Sequence, residues 1–285
     1  MQHNRIAVYG HRGWASSAIV DALAATGAPI TVLHRASSDT DGLPRGVKKI
    51  QVDTDDHEAL IAALQDIDIV ISLVGHEGVQ RQHAFVKAIP HTRVQLFSPS
   101  DLAARYDEQG LQIPVNKAKD EVERAAREAG IHTTVILTGN FAEFALNTNT
   151  RDYVAAAYAA IFATTPISQL RNRSLGLTEL SPTGKEVAKA LEEKNAAPPK
   201  MFAHSLDKVN KEVNDCLNSG SPFALAWYCH KIWGNGKQAD MVGPDVWEVS
   251  GRRKAGIQDL IVDGQLGSSR DMPPQVDEYF DSTFV

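Results

Sequence analysis

The stretch from Arg5 to Arg35 constrains the fold of this chain more than any other. It runs from a short apolar segment at 6–9, through a turn containing Gly10 and Gly13, into an Ala-rich segment and a second apolar segment at 30–34. The first segment is too short for a helix, whereas the apolar residues between the two segments recur at helical spacing. Strand, glycine turn, helix and strand, in this order, predict the first βαβ unit of a dinucleotide-binding fold.

The glycine turn suits a phosphate group. Gly10 can adopt backbone angles closed to other residues, and Gly13 lets the main chain approach a pyrophosphate at the free amide groups of a helix N-terminus. Ser16 stands where the dinucleotide fingerprint usually has Gly or Ala, so the pattern is G-x-x-G-x-x-S. We expect cofactor binding here rather than a purely structural turn, with contacts from Gly10, Arg12, Gly13 and Trp14.

The residues after the second strand indicate which dinucleotide binds. An NAD site usually offers a carboxylate to the ribose 2′-hydroxyl at this point, whereas this chain has Arg35 and Ser37 and no carboxylate before Asp39. A guanidinium can form a bidentate contact with a 2′-phosphate, and a serine hydroxyl can donate a further hydrogen bond. The sequence therefore predicts NADPH/NADP. Arg12 can reach the same phosphate or lie solvated on the turn, and both alternatives stay open.

Composition limits the partners of the chain. The 285 residues suffice for one large domain or two smaller ones, and 29 basic against 35 acidic residues give a net charge of −6, which argues against a nucleic-acid surface. No apolar segment approaches the roughly 18 residues that span a membrane, and no signal-peptide core is apparent. We expect a cytoplasmic protein with no nucleic-acid or membrane partner. Cys216 and Cys229 fit neither a C-x-x-C nor a zinc pattern and are expected to be reduced.

Strand and helix patterns alternate along the first half. Further strands are expected at 49–53, 67–74, 93–97 and 133–137, with helices between them. This alternation predicts an α/β fold with a doubly wound parallel Rossmann sheet, in which the β-branched segment 67–74 is central. We expect an NAD(P)-binding domain at 1–150 and a smaller, mostly helical substrate-binding part at 151–285, interleaved with the first and ending in a mobile tail at 264–285.

Open α/β sheets bind ligands at the carboxyl ends of their strands. Gly75 and His76 follow the central strand at that edge, and we expect them to pass over the cofactor. Ser98 ends the next strand, where a serine can supply a catalytic hydroxyl or form a turn. Asp53 can contact the adenine or cap the following helix. No metal site is expected, because the histidines after the central strand have no third ligand nearby.

The common catalytic pair of short-chain dehydrogenases is missing. None of the six tyrosines has a lysine four residues later, so Tyr-x-x-x-Lys is excluded. The sequence also lacks a G-x-S-x-G elbow, an H-E-x-x-H motif and a P-loop. Lys117, near the start of a charged helix, can point into the cleft with a lowered pKa or lie in solvent, as we expect for Lys119.

Several motifs together resemble the NmrA-like, isoflavone-reductase-like family of atypical short-chain dehydrogenases, and in particular its fungal members. The resemblance covers roughly residues 4–190. The family's glycine turn is usually G-A-T-G-x-x-G, from which His11, Arg12 and Ser16 depart. The matching motifs are Val8-Tyr9-Gly10, Arg35, Val70-Ile71-Ser72 with Gly75, Phe97-Ser98-Pro99-Ser100-Asp101, Lys117-Ala118-Lys119 and Gly139-Asn140-Phe141.

This resemblance implies an NADPH-dependent reductase of a small aromatic or polyketide-like metabolite, of the kind found in fungal secondary metabolism. In the family's reductases a lysine that begins the charged helix is the general acid or base, and Lys117 is the matching position. Asn140 and Phe141 are implied at the cofactor, and Phe141 also at the substrate. A redox-sensing regulator without turnover, which would dock a protein partner, stays open, as do a non-redox isomerase or cyclase and a homodimer.

The second half adds candidate substrate contacts. Its aromatic segment, 223–233, can line a pocket for a flat substrate or form a helix packed on the core, and the helical spacing of its aromatic residues favours the helix. Tyr228 and His230 are the candidate contacts in this segment. His230 can serve as a second acid/base group or be held in place by hydrogen bonds.

Overall fold

A computed structural model describes residues 3–146, 148–201, 203–271 and 274–283. The remaining residues of the predicted ranges 1–150, 151–285 and 264–285 lie outside the described residues. Within the described part, five strands form a parallel sheet in the order β3-β2-β1-β4-β5, and two more strands pair separately in parallel. The strands are β1 (Ile6–Tyr9), β2 (Ile30–His34), β3 (Lys48–Gln51), β4 (Ile69–Ser72), β5 (Leu96–Ser98), β6 (Thr134–Leu137) and β7 (Arg173–Gly176).

Helices follow most of the strands and cover the sheet. A short 3₁₀ segment, His76–Arg81, lies between β4 and α3, and a π-helical turn, Ala160–Thr164, extends α6. The α-helices are α1 (Trp14–Ala25), α2 (His57–Ala63), α3 (Gln82–Ala88), α4 (Pro114–Glu128), α5 (Ala142–Ala145), α6 (Arg151–Ala159), α7 (Gly184–Asn195), α8 (Leu206–Ser219), α9 (Ala224–Gly234), α10 (Gln238–Met241) and α11 (Pro274–Thr283).

Strand β1 shows why both faces of the sheet must be covered. Its side chains alternate, so Ile6 and Val8 pack into the cluster that contains α1 and α6, whereas Ala7 and Tyr9 pack into the cluster that contains α2, α3 and α4. All four residues are almost fully buried. The doubly wound parallel α/β sheet predicted from the sequence is therefore confirmed.

The chain order reverses beside β1. From β1 the chain adds β2 and β3 on one side, then crosses over to place β4 and β5 on the other. The carboxyl ends of β1 and β4 thus flank a switch point, where open α/β sheets bind their ligands. β6, predicted as a sixth strand, pairs with β7, and a single bridge between Phe97 and Thr133 links it to β5.

The second half contributes to the same core. α6 and β7 pack into the cluster beneath α1, so this cluster contains residues from both sides of position 150. α8 and α9 form a separate cluster around the buried Trp227, which confirms the helical interpretation of the aromatic segment. The division at residue 150 stays a prediction. Among the described residues, no helix combines the length and apolar character that crossing a membrane requires.

Asn149 joins the two parts of the chain. Its fully buried amide donates to the carbonyl oxygens of Thr138 at 2.6 Å and Leu177 at 2.8 Å, which follow β6 and β7. Its Oδ1 accepts from the Glu179 N–H at 2.9 Å. One side chain therefore satisfies two buried carbonyl groups, whereas the Glu179 N–H is shared with the Thr148 carbonyl oxygen at 3.0 Å.

We predict that Asn149→Ala lowers the free energy of unfolding by about 3 kcal/mol, because the buried carbonyl groups of Thr138 and Leu177 lose their Asn149 donor. Denaturant unfolding followed by circular dichroism measures the change. Asn195→Ala, at the exposed end of α7, is the matched control and should change stability by less than about 0.5 kcal/mol. Equal effects of the two substitutions would contradict this role for Asn149.

Candidate functional site at the carboxyl edge of the sheet

The glycine turn lies directly against the end of β4. Gly10 has φ +97°, and a Cβ at this position would lie 2.7 Å from the carbonyl carbon of Leu73. Ser16 is buried, and its Oγ donates to the Leu73 carbonyl oxygen at 3.0 Å. A serine thus replaces the third glycine of the usual pattern and adds a hydrogen bond between α1 and the chain after β4.

The N-terminus of α1 is open to a ligand. Gly13 is the N-cap residue, it offers no side chain to cap the helix, and the first turn contains no acidic residue. The first amide groups of a helix have no intrahelical partner and carry partial positive charge. These amide groups can therefore bind an anion such as a pyrophosphate.

His11 links this turn to the loop after β2. Its ring is buried, and Nε2 lies 3.0 Å from the carbonyl oxygen of Asp39. Burial lowers the pKa of His11, although the contact with Asp39 opposes this change. The sequence indicated only that His11 departs from the usual family pattern. The structure shows that it connects the glycine turn to the loop after β2.

The residues expected to contact the 2′-phosphate are exposed. Arg12, Arg35 and Ser37 all face solvent. Burial raises the pKa of Tyr9, the last residue of β1, and the positive charge of Arg35 opposes that rise. Leu33 of β2 pairs with Tyr9, so Arg35, two residues after Leu33, lies near the carboxyl end of β1, where a residue that recognises a 2′-phosphate is needed.

Asp53 does not cap the helix after β3. Asp56 is the N-cap residue of α2 and accepts from the Ala59 N–H at 3.0 Å. Asp53 is exposed and accepts from the Asp55 N–H at 3.0 Å. The capping alternative is therefore wrong for Asp53, and the adenine contact stays a prediction.

Gly75 and His76 follow β4 and face the opening of the cleft, where both are exposed. The pKa of His76 is lowered by partial burial and by the positive charges of Lys119 and Arg270. One imidazole thus lies near a lysine from α4 and an arginine from the C-terminal segment. Nothing in the sequence indicated that these three groups would lie near one another.

The two lysines of α4 occupy environments opposite to those we expected. Lys117 is exposed, whereas the Lys119 side chain is only 12% exposed. Lys119 Nζ donates to the backbone oxygen of Asp101 at 2.5 Å, and burial lowers the pKa of this ammonium group. The expectation that Lys119 lies in solvent is wrong. Lys119, and not Lys117, is held at the carboxyl edge of the sheet.

Helical spacing explains why Lys119 is buried and Lys117 is exposed. Val115, Ala118 and Val122 all pack against the sheet, and Lys119 lies four residues after the first and three before the last. Lys117, two residues before Lys119, lies about 200° away from it around the helix axis and therefore faces solvent. This signal was present in the sequence, since Lys119 interrupts an otherwise apolar stripe.

Asp101 is the carboxylate next to Lys119. It is 8% exposed, its Oδ1 lies 4.0 Å from Lys119 Nζ, and this oxygen has no hydrogen-bond partner. Burial raises the pKa of Asp101, whereas the charges of Lys119 and Arg105 oppose the change. A cavity of about 50 Å³ lies beside the pair, and its lining includes Tyr106 and Asn116.

Ser98 lies beneath the site rather than in it. Its side chain is fully buried and its Oγ has no hydrogen-bond partner. Ser100 is also buried, and its Oγ donates to the Val74 carbonyl oxygen at 2.8 Å. Ser98 is therefore removed from the expected cofactor contacts, because no ligand can reach it.

Phe141 and Asn140 follow β6 and face the glycine turn. The Phe141 ring lies 5.3 Å from the Trp14 ring in an edge-on arrangement, and Phe144 contacts the same indole at 5.5 Å. The carbonyl oxygen of Asn140 accepts from the Thr148 N–H at 3.2 Å, which fixes the backbone at this point. The structure thus brings together the start of α1 and the segment after β6, as predicted.

Tyr228 and His230 both lie on α9, which packs against α8. Tyr228 is fully buried, and its hydroxyl donates to Asp107 at 2.9 Å. It is therefore removed from the expected substrate contacts. His230 is half-buried and packs against His204 and Trp227, and its role at the substrate stays a prediction.

Another cavity lies at the opposite edge of the sheet. It measures about 230 Å³, and its lining includes Arg5, Thr31 and Lys48, which lie at the amino ends of the strands. Arg5 there is paired with Asp68 at 2.7 Å. Open α/β sheets bind ligands at their carboxyl edge, so this cavity is not the candidate site.

Comparisons with known proteins agree with this geometry. A model of the NmrA-like family matches residues 2–207. Phenylcoumaran benzylic ether reductase Pyrc5 of Pyrus communis is 31% identical over 158 residues, which are 51% of this chain and 51% of that protein. The match thus spans about half the length of this curated relative. The relative is a plant protein, and the resemblance to fungal members stays a prediction.

Solved structures share the fold. A complex of leucoanthocyanidin reductase with NADPH from Vitis vinifera has a TM-score of 0.71 and 18% identity, covering 91% of this chain and 98% of that one. AtPrR2, solved with NADP⁺ and (+)pinoresinol, has a TM-score of 0.69 and 18% identity and covers 100% of both chains. At these identities the likeness demonstrates the architecture alone.

Gly10→Ala should destabilise the chain more than Gly27→Ala does. Both glycines have positive φ, but a Cβ at Gly27 meets nothing within 4 Å, whereas one at Gly10 meets the backbone after β4. The control should therefore show only the backbone strain, about 1 kcal/mol. Overpacking should add about 2 kcal/mol at Gly10, measured by denaturant unfolding. Indistinguishable midpoints would refute the close approach.

Proposed function

The chain belongs to the NmrA-like family, and from this we propose that it is an NADPH-dependent oxidoreductase that reduces a small aromatic metabolite. Two of the similar proteins named above, Pyrc5 and leucoanthocyanidin reductase, are called reductases, and the second was solved with NADPH. The observation that carries the proposal is Lys119, a lysine held in a protein-lined site beside the switch point of a dinucleotide-binding sheet. A lysine with a lowered pKa in such a place is suited to proton transfer.

The described residues fit NADPH. The space beside Gly10 is too small for a side chain, and the uncapped N-terminus of α1 offers amide groups to the pyrophosphate. Arg35 offers a guanidinium to the 2′-phosphate. We propose cofactor contacts by Gly10, Arg12, Gly13, Trp14, Arg35, Ser37, Asp53, Gly75, His76, Asn140 and Phe141.

NADPH, when bound, would supply a hydride to the substrate. Lys119 would then donate a proton from Nζ to the oxygen on which negative charge develops, because its ammonium is the titratable group held at the carboxyl edge. The Asp101 backbone oxygen fixes the position of Nζ. The nearby Asp101 carboxylate helps Lys119 to keep its proton, since its charge opposes the fall in the pKa of Lys119. Lys117 has no such role.

The substrate would lie against the aromatic residues at the start of α1 and α5. Trp14, Phe141 and Phe144 form a contiguous group of rings. Phe144 is 42% exposed, so a ligand can reach its ring from solvent. We propose this group as the surface that binds an aromatic ring.

Lys119→Met should reduce turnover at least about 100-fold, because it removes the proton donor. Lys117→Met, two residues away and exposed, is the matched control and should stay within about twofold of the original chain. The measurement is NADPH oxidation with a panel of aromatic ketones and benzylic ethers. In the unsubstituted chain kcat should fall as pH rises through the Lys119 pKa, which lies below the ordinary lysine value because burial disfavours the ammonium. Tight NADPH binding without reduction of any compound would instead favour a nucleotide-sensing regulator.

Arg35→Gln should weaken NADPH binding about tenfold and leave NADH binding unchanged, because the guanidinium contacts only the 2′-phosphate. Isothermal titration with both nucleotides measures this selectivity. Arg93→Gln removes an equal, exposed charge just before β5, at the opposite edge of the sheet, and should alter neither affinity. A parallel loss for NADPH and NADH would contradict the assignment of Arg35.

A further inference from the structure

We propose that Arg270 recognises an anionic group on the aromatic substrate, so that the preferred substrates are aromatic acids rather than their neutral esters or ethers. The inference rests on the proposed function, because it places a substrate beside Lys119. It is drawn from the course of the C-terminal segment 264–271 across the opening of the cleft. From the sequence, the tail that contains this segment could be either a lid or a loosely held terminus.

The segment is anchored before it reaches the opening. The Leu266 N–H donates to the Leu260 carbonyl oxygen at 3.1 Å, and Leu266 packs in the same cluster as Ala142 of α5. Gly267 follows beside Glu143, whose Oε1 lies 3.8 Å from the place where a Cβ of Gly267 would be. The segment thus enters the site along α5.

The segment next crosses the start of α1. The indole N–H of Trp14 donates to the Ser268 carbonyl oxygen at 3.2 Å. Trp14 is the first residue of α1, directly after the glycine turn. The backbone of the segment is therefore bonded to the aromatic group that we assign to the substrate.

Arg270 then lies over that aromatic group. Its guanidinium carbon is 5.5 Å from the centre of the exposed Phe144 ring, within cation–π range. Among the described residues, no carboxylate forms an ion pair with Arg270. Glu143, beside the segment, instead accepts from the Arg151 N–H at 2.9 Å. Arg270 thus offers an exposed cation next to an exposed aromatic ring.

Other groups at the same opening are also basic. The positive charges of Arg270 and Lys119 both lower the pKa of His76, so the three groups lie near one another. An aromatic surface edged by cations is complementary to a flat molecule that carries a carboxylate. A guanidinium binds such a group in bidentate fashion and discriminates against the ester, which has lost the charge.

The test compares cinnamate with its neutral methyl ester, methyl cinnamate, each titrated into the NADP⁺-loaded protein by calorimetry. The original chain should bind cinnamate about tenfold more tightly than the ester. Arg270→Gln should abolish this preference by weakening cinnamate alone, and Arg270→Lys should retain part of it. Arg252→Gln, which removes an exposed arginine from the preceding loop, is the control and should behave like the original chain.

Each contrary result has a separate meaning. Failure of the original chain to bind NADP⁺ would refute the proposed function itself. With NADP⁺ bound, equal affinities for acid and ester, or no cinnamate binding at millimolar concentration, would overturn the role of Arg270 alone. Weaker NADP⁺ binding by Arg270→Gln with unchanged cinnamate selectivity would overturn it too, since Arg270 would then contact the cofactor phosphates.

Discussion

The contact between the glycine turn and the end of β4 is the constraint on which the rest of the site depends. Gly10 touches the Leu73 backbone, and Ser16 donates a hydrogen bond to the same residue. This contact fixes the start of α1 relative to the sheet. It therefore sets where the free amide groups of α1 point, how far Trp14 projects, and where Phe141 must pack.

The electrostatics of the cleft follow from burial. Lys119 and Asp101 are both withdrawn from water, which favours the neutral form of each. Burial therefore lowers the pKa of Lys119 and raises the pKa of Asp101. The two groups do not form an ideal ion pair with each other, since Lys119 Nζ and Asp101 Oδ1 are 4.0 Å apart. A site built in this way keeps a proton available for transfer, whereas a tight ion pair would hold it.

The sequence was sufficient for the fold and for the glycine turn, because both depend on local patterns. It failed for Tyr228 and Ser98, since burial depends on how distant elements pack. The two lysines are a different case. The helical spacing of the apolar residues could have indicated that Lys119 is buried and Lys117 exposed, whereas the resemblance to the family alone pointed to Lys117. The contact of Arg270 with Phe144 was beyond prediction, as it joins parts of the chain far apart in sequence.

The bond between Trp14 and Ser268 has a thermodynamic consequence. One indole ring belongs both to the helix end that faces the nucleotide and to the surface beneath the C-terminal segment. A molecule that displaces this segment must break that bond, and a molecule that orders Trp14 strengthens it. A ligand bound at the nucleotide side of the cleft then changes the affinity for a ligand beneath the C-terminal segment. The reverse effect must be equally large, because such linkage is reciprocal.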